Sequence, residues 1–299
     1  MSVSIKPIVW PSLLLAAVFF IPSTQALASF HQDIEVSRVG SSIQAGFCSR
    51  PELGCDIAGV ESLGLPPNTL PTDFETGKDI YVTTFTHFVF SGQHATDNPG
   101  FQSAAGALAG NEVVFYQALG VMEFWNPATG AWNIAPDNVQ IRLAGGRLLD
   151  PVIDQSCGRL ICPPKTEGST NYSGKGVSGA ESLIVGSAAA NGSLHTHLNW
   201  FLETNPGTAN GGPAGAYLVE MSLFSDKRPT RSDSFYILFN NQLDVDVDVK
   251  NGEGMSDFQR AVSMRVLGPS LAEVPIPAAF FLFLGALGLM SGGRLLRRS

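Results

Sequence analysis

The stretch GSLHTHLNWFLETNPG, residues 192–207, decides how the chain is read. A β-strand sends successive side chains to opposite faces. Read that way, Thr196, Leu198, Trp200 and Leu202 form one mainly apolar face that belongs against a core. His195, His197, Asn199, Phe201 and Glu203 form the other, mostly polar face. Two of the five histidines in the chain therefore stand side by side. Their backbones lie roughly 6.5–7 Å apart, since each strand residue rises about 3.3 Å, and two imidazoles can converge on one point from that distance. On a helix, residues two apart do not face each other.

The surrounding sequence agrees with a β reading. Charged residues are only 15% of the chain, with 32 glycines and 19 prolines, a balance that suits a turn-rich, all-β protein. Short runs rich in Val, Ile, Phe, Tyr and Thr recur between turn signals: 33–47, 79–92, 111–125, 130–136, 138–145, 180–187, 193–203, 215–225, 233–250 and 258–268. WNPATGAW (125–132) reads as a hairpin turn between two strand ends. No sustained helical periodicity is expected outside the two terminal segments. The expectation is an all-β fold, a single β-sandwich or jelly-roll-like body over 29–268. Two long Pro/Gly-rich loops, 47–78 and 154–176, interrupt it.

Both ends read as segments outside the body. Residues 1–28 have Lys6, an apolar run from Leu13 to Ile21 and Ala26-Leu27-Ala28, the order of a signal peptide cleaved after Ala28. Residues 269–273 read as a linker. Residues 274–299 carry an apolar run from Ala278 to Met290, followed by Arg294, Arg297 and Arg298, a transmembrane helix with a basic cytoplasmic end. With its Val274-Pro275-Ile276-Pro277-Ala278 start, this tail resembles the PEP-CTERM sorting segment. The resemblance covers the last 26 residues. It implies recognition by an exosortase-type sorting enzyme, removal of the tail and display in the cell envelope or extracellular matrix.

Removing Lys6 and the three terminal arginines from 18 basic residues, and Glu273 from 26 acidic ones, leaves residues 29–272 near −11. Such a body has no basic footprint for nucleic acid. It is compatible with cations or neutral glycans. Its four cysteines, Cys48, Cys55, Cys157 and Cys162, form two close pairs. In an oxidising compartment, disulfides Cys48–Cys55 and Cys157–Cys162 are expected. A four-cysteine zinc site is the alternative, although neither spacing is a C-x-x-C knuckle.

The other histidines are His31, in SFHQDIEV, and His87 and His94, in THFVFSGQHATDNPGF. Imidazole suits Zn2+, with Cu2+ and Ni2+ as further candidates. The expected metal ligands are His31, His94, His195 and His197. His87, among Phe85, Phe88 and Phe90, reads equally well as a core residue. Asp97 and Asn98 read as turn residues, with orienting a ring as their other role. A terminus at Ser29-Phe30-His31 would offer the separate square-planar set that Cu2+ and Ni2+ favour.

HQDIEV, GQHATDNPGF, HTHLNWFLE and GAYLVEMSLFS…SDSFYILFNN resemble a PEP-CTERM family repressed by the zinc-uptake regulator. More distantly they resemble the choice-of-anchor M surface domains, through His31 with Asp33, His195, His197, Asn199, Trp200, Gly215 and Tyr217. The resemblance implies a protein that handles zinc at the surface when zinc is scarce. The chain is read as a non-enzyme. A cupin-like metalloenzyme would need a closer glutamate than Glu203 and a later histidine, and none follows His197. Glu203 is the one evident base for a hydrolase, and no G-x-S-x-G or H-E-x-x-H motif is present. The other expectation is a structural matrix protein that binds exopolysaccharide, with Trp125 and Trp132 as glycan platforms.

Overall fold

The computed structural model describes residues 33–47, 70–85, 94–144, 168–207, 210–245 and 255–268. Among them are fifteen strands, arranged in three sheets, and one short helix. The all-β expectation therefore holds in its main terms. The signal peptide, the sorting tail, all four cysteines, His31 and His87 lie outside the described residues. Among the described residues, no helix is long and apolar enough to cross a membrane.

The chain enters through a hairpin, β1 (Ile34–Val39) and β2 (Ser42–Phe47). Its two-residue loop has Gly40 at φ 59°, and a II′ turn requires glycine at that first position. β5 (Gly100–Ser103) pairs with β1 in parallel, and β12 (Leu194–His197) closes that sheet as an edge strand in the order β12-β5-β1-β2. A second sheet has the order β10-β9-β8-β13-β4. Its strands are β4 (Ala95–Thr96), β8 (Gln140–Ala144), β9 (Ser169–Ser173), β10 (Gly176–Gly179) and β13 (Asn199–Glu203).

The third sheet is built on the long strands β6 (Val113–Asn126) and β14 (Gly215–Ser225), with β15 (Phe235–Asn241), β3 (Ile80–Thr84) and β11 (Ser182–Ser187). A register shift between Leu218 and Glu220 sets Val219 against residues 120–122 of β6, two more than a regular ladder would, and Gly120, at φ 68°, takes the left-handed position in that bulge. The 125–132 hairpin is present: β7 (Ala131–Ile134) folds back on β6 and sets Trp132 opposite Trp125.

One apolar core joins all three sheets. It takes Ile34, Val36 and Phe101 from the first, Ile141, Leu143 and Trp200 from the second, and Tyr116, Tyr217 and Phe239 from the third. A second core lies on the opposite face of the third sheet, where Ile80, Val82, Trp125, Leu218 and Leu238 meet the helix. β15 is buried at all seven residues because both of its faces are covered. That accounts for its continuous apolar run, where a one-sided strand would alternate.

The helix, α1 (Asp257–Leu267), corrects the expected strand at 258–268. Ser256 and Gln259 form a reciprocal capping box, and Asp257 stands in the first turn, both stabilising at a helix N-terminus. Phe258, Ala261, Val262 and Arg265 bury one stripe. Arg265 then fixes the far end by ion pairs to Asp73 at 2.8 Å and Glu123 at 3.0 Å. The long loop expected over 154–176 is also shortened, because β9 begins at Ser169.

Candidate metal centre

The segment expected as one strand is two. β12 ends at His197, β13 starts at Asn199, and Leu198 between them is buried. The two strands belong to different sheets, yet the inside-outside parity carries through the break. Leu194 and Thr196 lie over Gly186 of β11, where an added Cβ would come within 3.2 Å of Leu194 and 3.1 Å of Thr196. Packing on that side leaves the opposite face to His195 and His197, and both are exposed.

The two imidazoles converge. His195 Nε2 and His197 Nε2 are 3.1 Å apart, with ring centroids at 5.1 Å. His197 Nδ1 lies 3.0 Å from the carbonyl oxygen of Asp97. A carbonyl only accepts, so Nδ1 carries the proton and His197 Nε2 presents a lone pair. The proton in the Nε2–Nε2 contact is then donated by His195. Loading an ion between the rings shifts that proton to His195 Nδ1, since a neutral imidazole keeps one N–H. Two nitrogens bound at about 2.0–2.1 Å to one tetrahedral ion lie about 3.3 Å apart, close to the spacing already present.

Beyond the pair, β12 registers His195 opposite Gln102 and His197 opposite Gly100 on β5. Asp33, just before β1, is buried on the far side of β5. Its Oδ1 accepts the Gly100 N–H at 2.8 Å, and its Oδ2 accepts the Gln102 side-chain amide. A Cβ at position 100 would lie 2.7 Å from His197 Cε1 and 2.9 Å from Asp33 Oδ1. Glycine thus lets the ring and the carboxylate approach across the strand.

His94 is placed differently. It is buried, with Nδ1 2.9 Å from Asn241 Oδ1 and Nε2 3.5 Å from the Gln242 amide nitrogen. Gly211, at φ 81°, covers the ring so closely that a Cβ there would lie 2.4 Å from it. Both ring nitrogens face the end of β15, and His94 forms no cluster with His195 and His197. Among the described residues, no group of three or more His, Cys, Asp or Glu is placed to hold a metal ion. His31 lies two residues before Asp33 in sequence and outside the described residues.

Several residues singled out in sequence have other work. Glu203 is fully buried, bonded to Arg142 at 2.8 Å, Gln140 at 2.9 Å and the Gly207 N–H at 3.0 Å, so it is not free to act as a base. Trp125 is fully buried and is no glycan platform. Among the residues of the distant resemblance, Trp200 and Tyr217 are core, and Gly215 packs against Phe124 and the Trp125 backbone. Asp97 serves through its backbone carbonyl. Sequence reading missed Gly100 and Gln102, whose pairing with residues about a hundred positions away leaves no local signal.

The comparisons with known proteins return no match, whether to a family model, to a curated protein or to a solved structure.

Proposed function

We propose that this chain is an exported, non-catalytic protein of the cell envelope that binds a divalent metal ion, zinc first, at the His195–His197 pair. One observation carries the reading: two exposed imidazoles on one strand face, with Nε2 atoms 3.1 Å apart. His197 is oriented through its other nitrogen, as metal-ligating histidines generally are. The remaining donors are assigned to His31 and, as in the sequence expectation, His94, which must leave its seat at the end of β15 to join. Cu2+ and Ni2+ are the competing ions. The order of terminal segments supports secretion, sorting by an exosortase-type enzyme and transient membrane anchorage by the 274–299 tail. The two short cysteine loops support disulfides. A β-sandwich or jelly-roll-like arrangement is the finer description of the body that we favour.

The test is elemental analysis of the exported protein purified from zinc-replete cells. One zinc per chain is expected. Stoichiometric copper with no zinc would reassign the ion, and no metal at all would end the reading.

The second reading, a matrix protein that binds exopolysaccharide, draws on a different place. A cleft of about 260 Å³ between β7 and the end of α1 is lined by half-buried Trp132 and by Phe74, which is 60% exposed. Aromatic faces of this kind suit sugar rings. The carboxylate of Asp73 and the guanidinium of Arg265 in the same cleft are bound to each other, which leaves fewer polar groups to fix a ligand. The metal reading is therefore the stronger.

A further inference from the structure

We propose that Asp33 is the positioning carboxylate of the His195–His197 site, acting on His197 across Gly100. The inference rests on the metal-binding reading and adds to it a residue that comes from a different strand.

Three observations meet at this point. First, the register makes one row of the sheet face from His197, Gly100 and, just before β1, Asp33. A side chain at the middle position would fill the space between the outer two, since the Cβ site is within 3 Å of both. Gly100 is not in the left-handed region. Its backbone conformation would accept alanine, so only space is at stake there. Second, Asp33 is 2% exposed and anchored through both oxygens, to the Gly100 N–H and the Gln102 side chain. Its carboxylate is held in place with respect to the imidazole. Third, the Cβ site of Gly100 that meets Asp33 Oδ1 meets His197 at its Nδ1–Cε1 edge, while Nε2 on the other side faces His195. An ion bound at Nε2 withdraws electron density from the ring and makes the Nδ1–H and Cε1–H edge more positive. A carboxylate beside that edge stabilises the bound state through its charge, the Nδ1–H itself being given to Asp97, and outer partners of metal-bound histidines typically contribute about 10–100-fold in metal affinity.

The arrangement selects for charge. The stabilisation grows with the positive charge passed to the ring, so a dication benefits more than a monocation. In logarithmic terms the loss for a monovalent ion should be about half, or about 3–10-fold.

The experiment uses the exported chain with Co2+ and Ag+ as probes, reading Co2+ by its visible absorption and both affinities by chelator competition. Asp33→Asn keeps the shape, and turning the Gln102 amide restores the hydrogen bonds. The expected result is a 10–100-fold loss for Co2+, a smaller loss for Ag+, and an unchanged Co2+ spectrum at saturation because the ligands are unchanged. A structural disturbance of the histidine pair would weaken both ions alike. Wild-type Co2+ affinity in folded Asp33→Asn, or equal losses for both ions, overturns the proposal. Should Asp33→Asn fail to fold, Gly100→Ala decides, since its methyl group parts the ring from the carboxylate. It should weaken Co2+ more than Ag+, and wild-type affinities there overturn the proposal. Loss of binding in the His195→Ala/His197→Ala protein, with intact binding in both of these variants, leaves the metal reading standing without Asp33. No Co2+ binding by the wild type ends both.

Discussion

Replacing Glu112 by Gln should destabilise the fold strongly, at a place far from the histidines. Glu112 stands just before β6 with its side chain fully buried. Its Oε1 accepts from Arg228 Nη1 and Ser225 Oγ, both at 2.5 Å, and its Oε2 accepts the Ala109 N–H at 2.8 Å. These bonds tie the start of β6 to the end of β14 and the turn after it. Glutamine keeps the shape but has one acceptor oxygen. Whichever way its amide turns, an NH2 group confronts either Arg228 and Ser225 or the Ala109 N–H. Breaking a buried pair costs about 3–5 kcal/mol. Arg228, whose side chain is 18% exposed, can recover part of its hydration, so the expected loss is about 2–4 kcal/mol. That corresponds to a fall of about 5–15 °C in melting temperature for a body of this size. The loss should also depend on pH. Burial pushes the Glu112 carboxyl up, but the bonds from Ser225, Ala109 and Arg228 outweigh it and hold the group below its usual 4.5. A carboxyl depressed in the folded state contributes stability that is complete above its unfolded value and is lost as pH falls through its folded value. Thermal unfolding followed by circular dichroism should therefore show a gap between wild type and variant that is full at neutral pH and narrows in acid. A gap under about 0.5 kcal/mol at neutral pH, or one that does not narrow in acid, would refute the reasoning.

Other consequences are as direct. Tyr172→Phe should be neutral or slightly stabilising, within about 1 kcal/mol, because the buried Tyr172 hydroxyl finds no hydrogen-bond partner among the described residues; a large loss in chemical denaturation would reveal a partner. Gly215→Ala should cost about 1–3 kcal/mol, since its Cβ would lie 2.2 Å from Phe124 and 2.5 Å from the Trp125 carbonyl oxygen; an unchanged melting temperature would contradict that packing. In alkaline titration, burial pushes Tyr116 up to about 12 and Tyr81 and Tyr172 well above 10. Groups raised in this way stabilise fully below their unfolded value and lose that contribution as pH rises. Tyrosinate absorbance from these three should appear together with unfolding, and gradual ionisation in the folded protein would contradict their burial.

Much of this fold was legible in local pattern. β14 occupies the residues expected for it, and the parity of 194–202 placed the imidazoles on the side away from the packed face. What escaped depended on partners distant in sequence. Nothing in LHTHLNWFLE announces that Leu198 is the point where the chain leaves one sheet for another. Glu203 looked like a member of the polar face, but Arg142 and Gln140 on β8 allow it to be buried. The helix also has a local signature. Ser256 with Gln259 is a capping box, and Phe258, Ala261, Val262 and Arg265 repeat at helical spacing, though valines in the segment favour a strand reading. At the candidate site the histidine pair could be read directly. The approach of Asp33 could not, because it depends on a parallel pairing and on the space that Gly100 leaves.

The central claim is tested most directly by calorimetric titration of Zn2+ into the metal-free exported protein and into its His195→Ala/His197→Ala variant. The account predicts one site per chain in the wild type, a rise in melting temperature with zinc, and loss of both in the variant. One zinc per chain bound by the variant with wild-type affinity would contradict it.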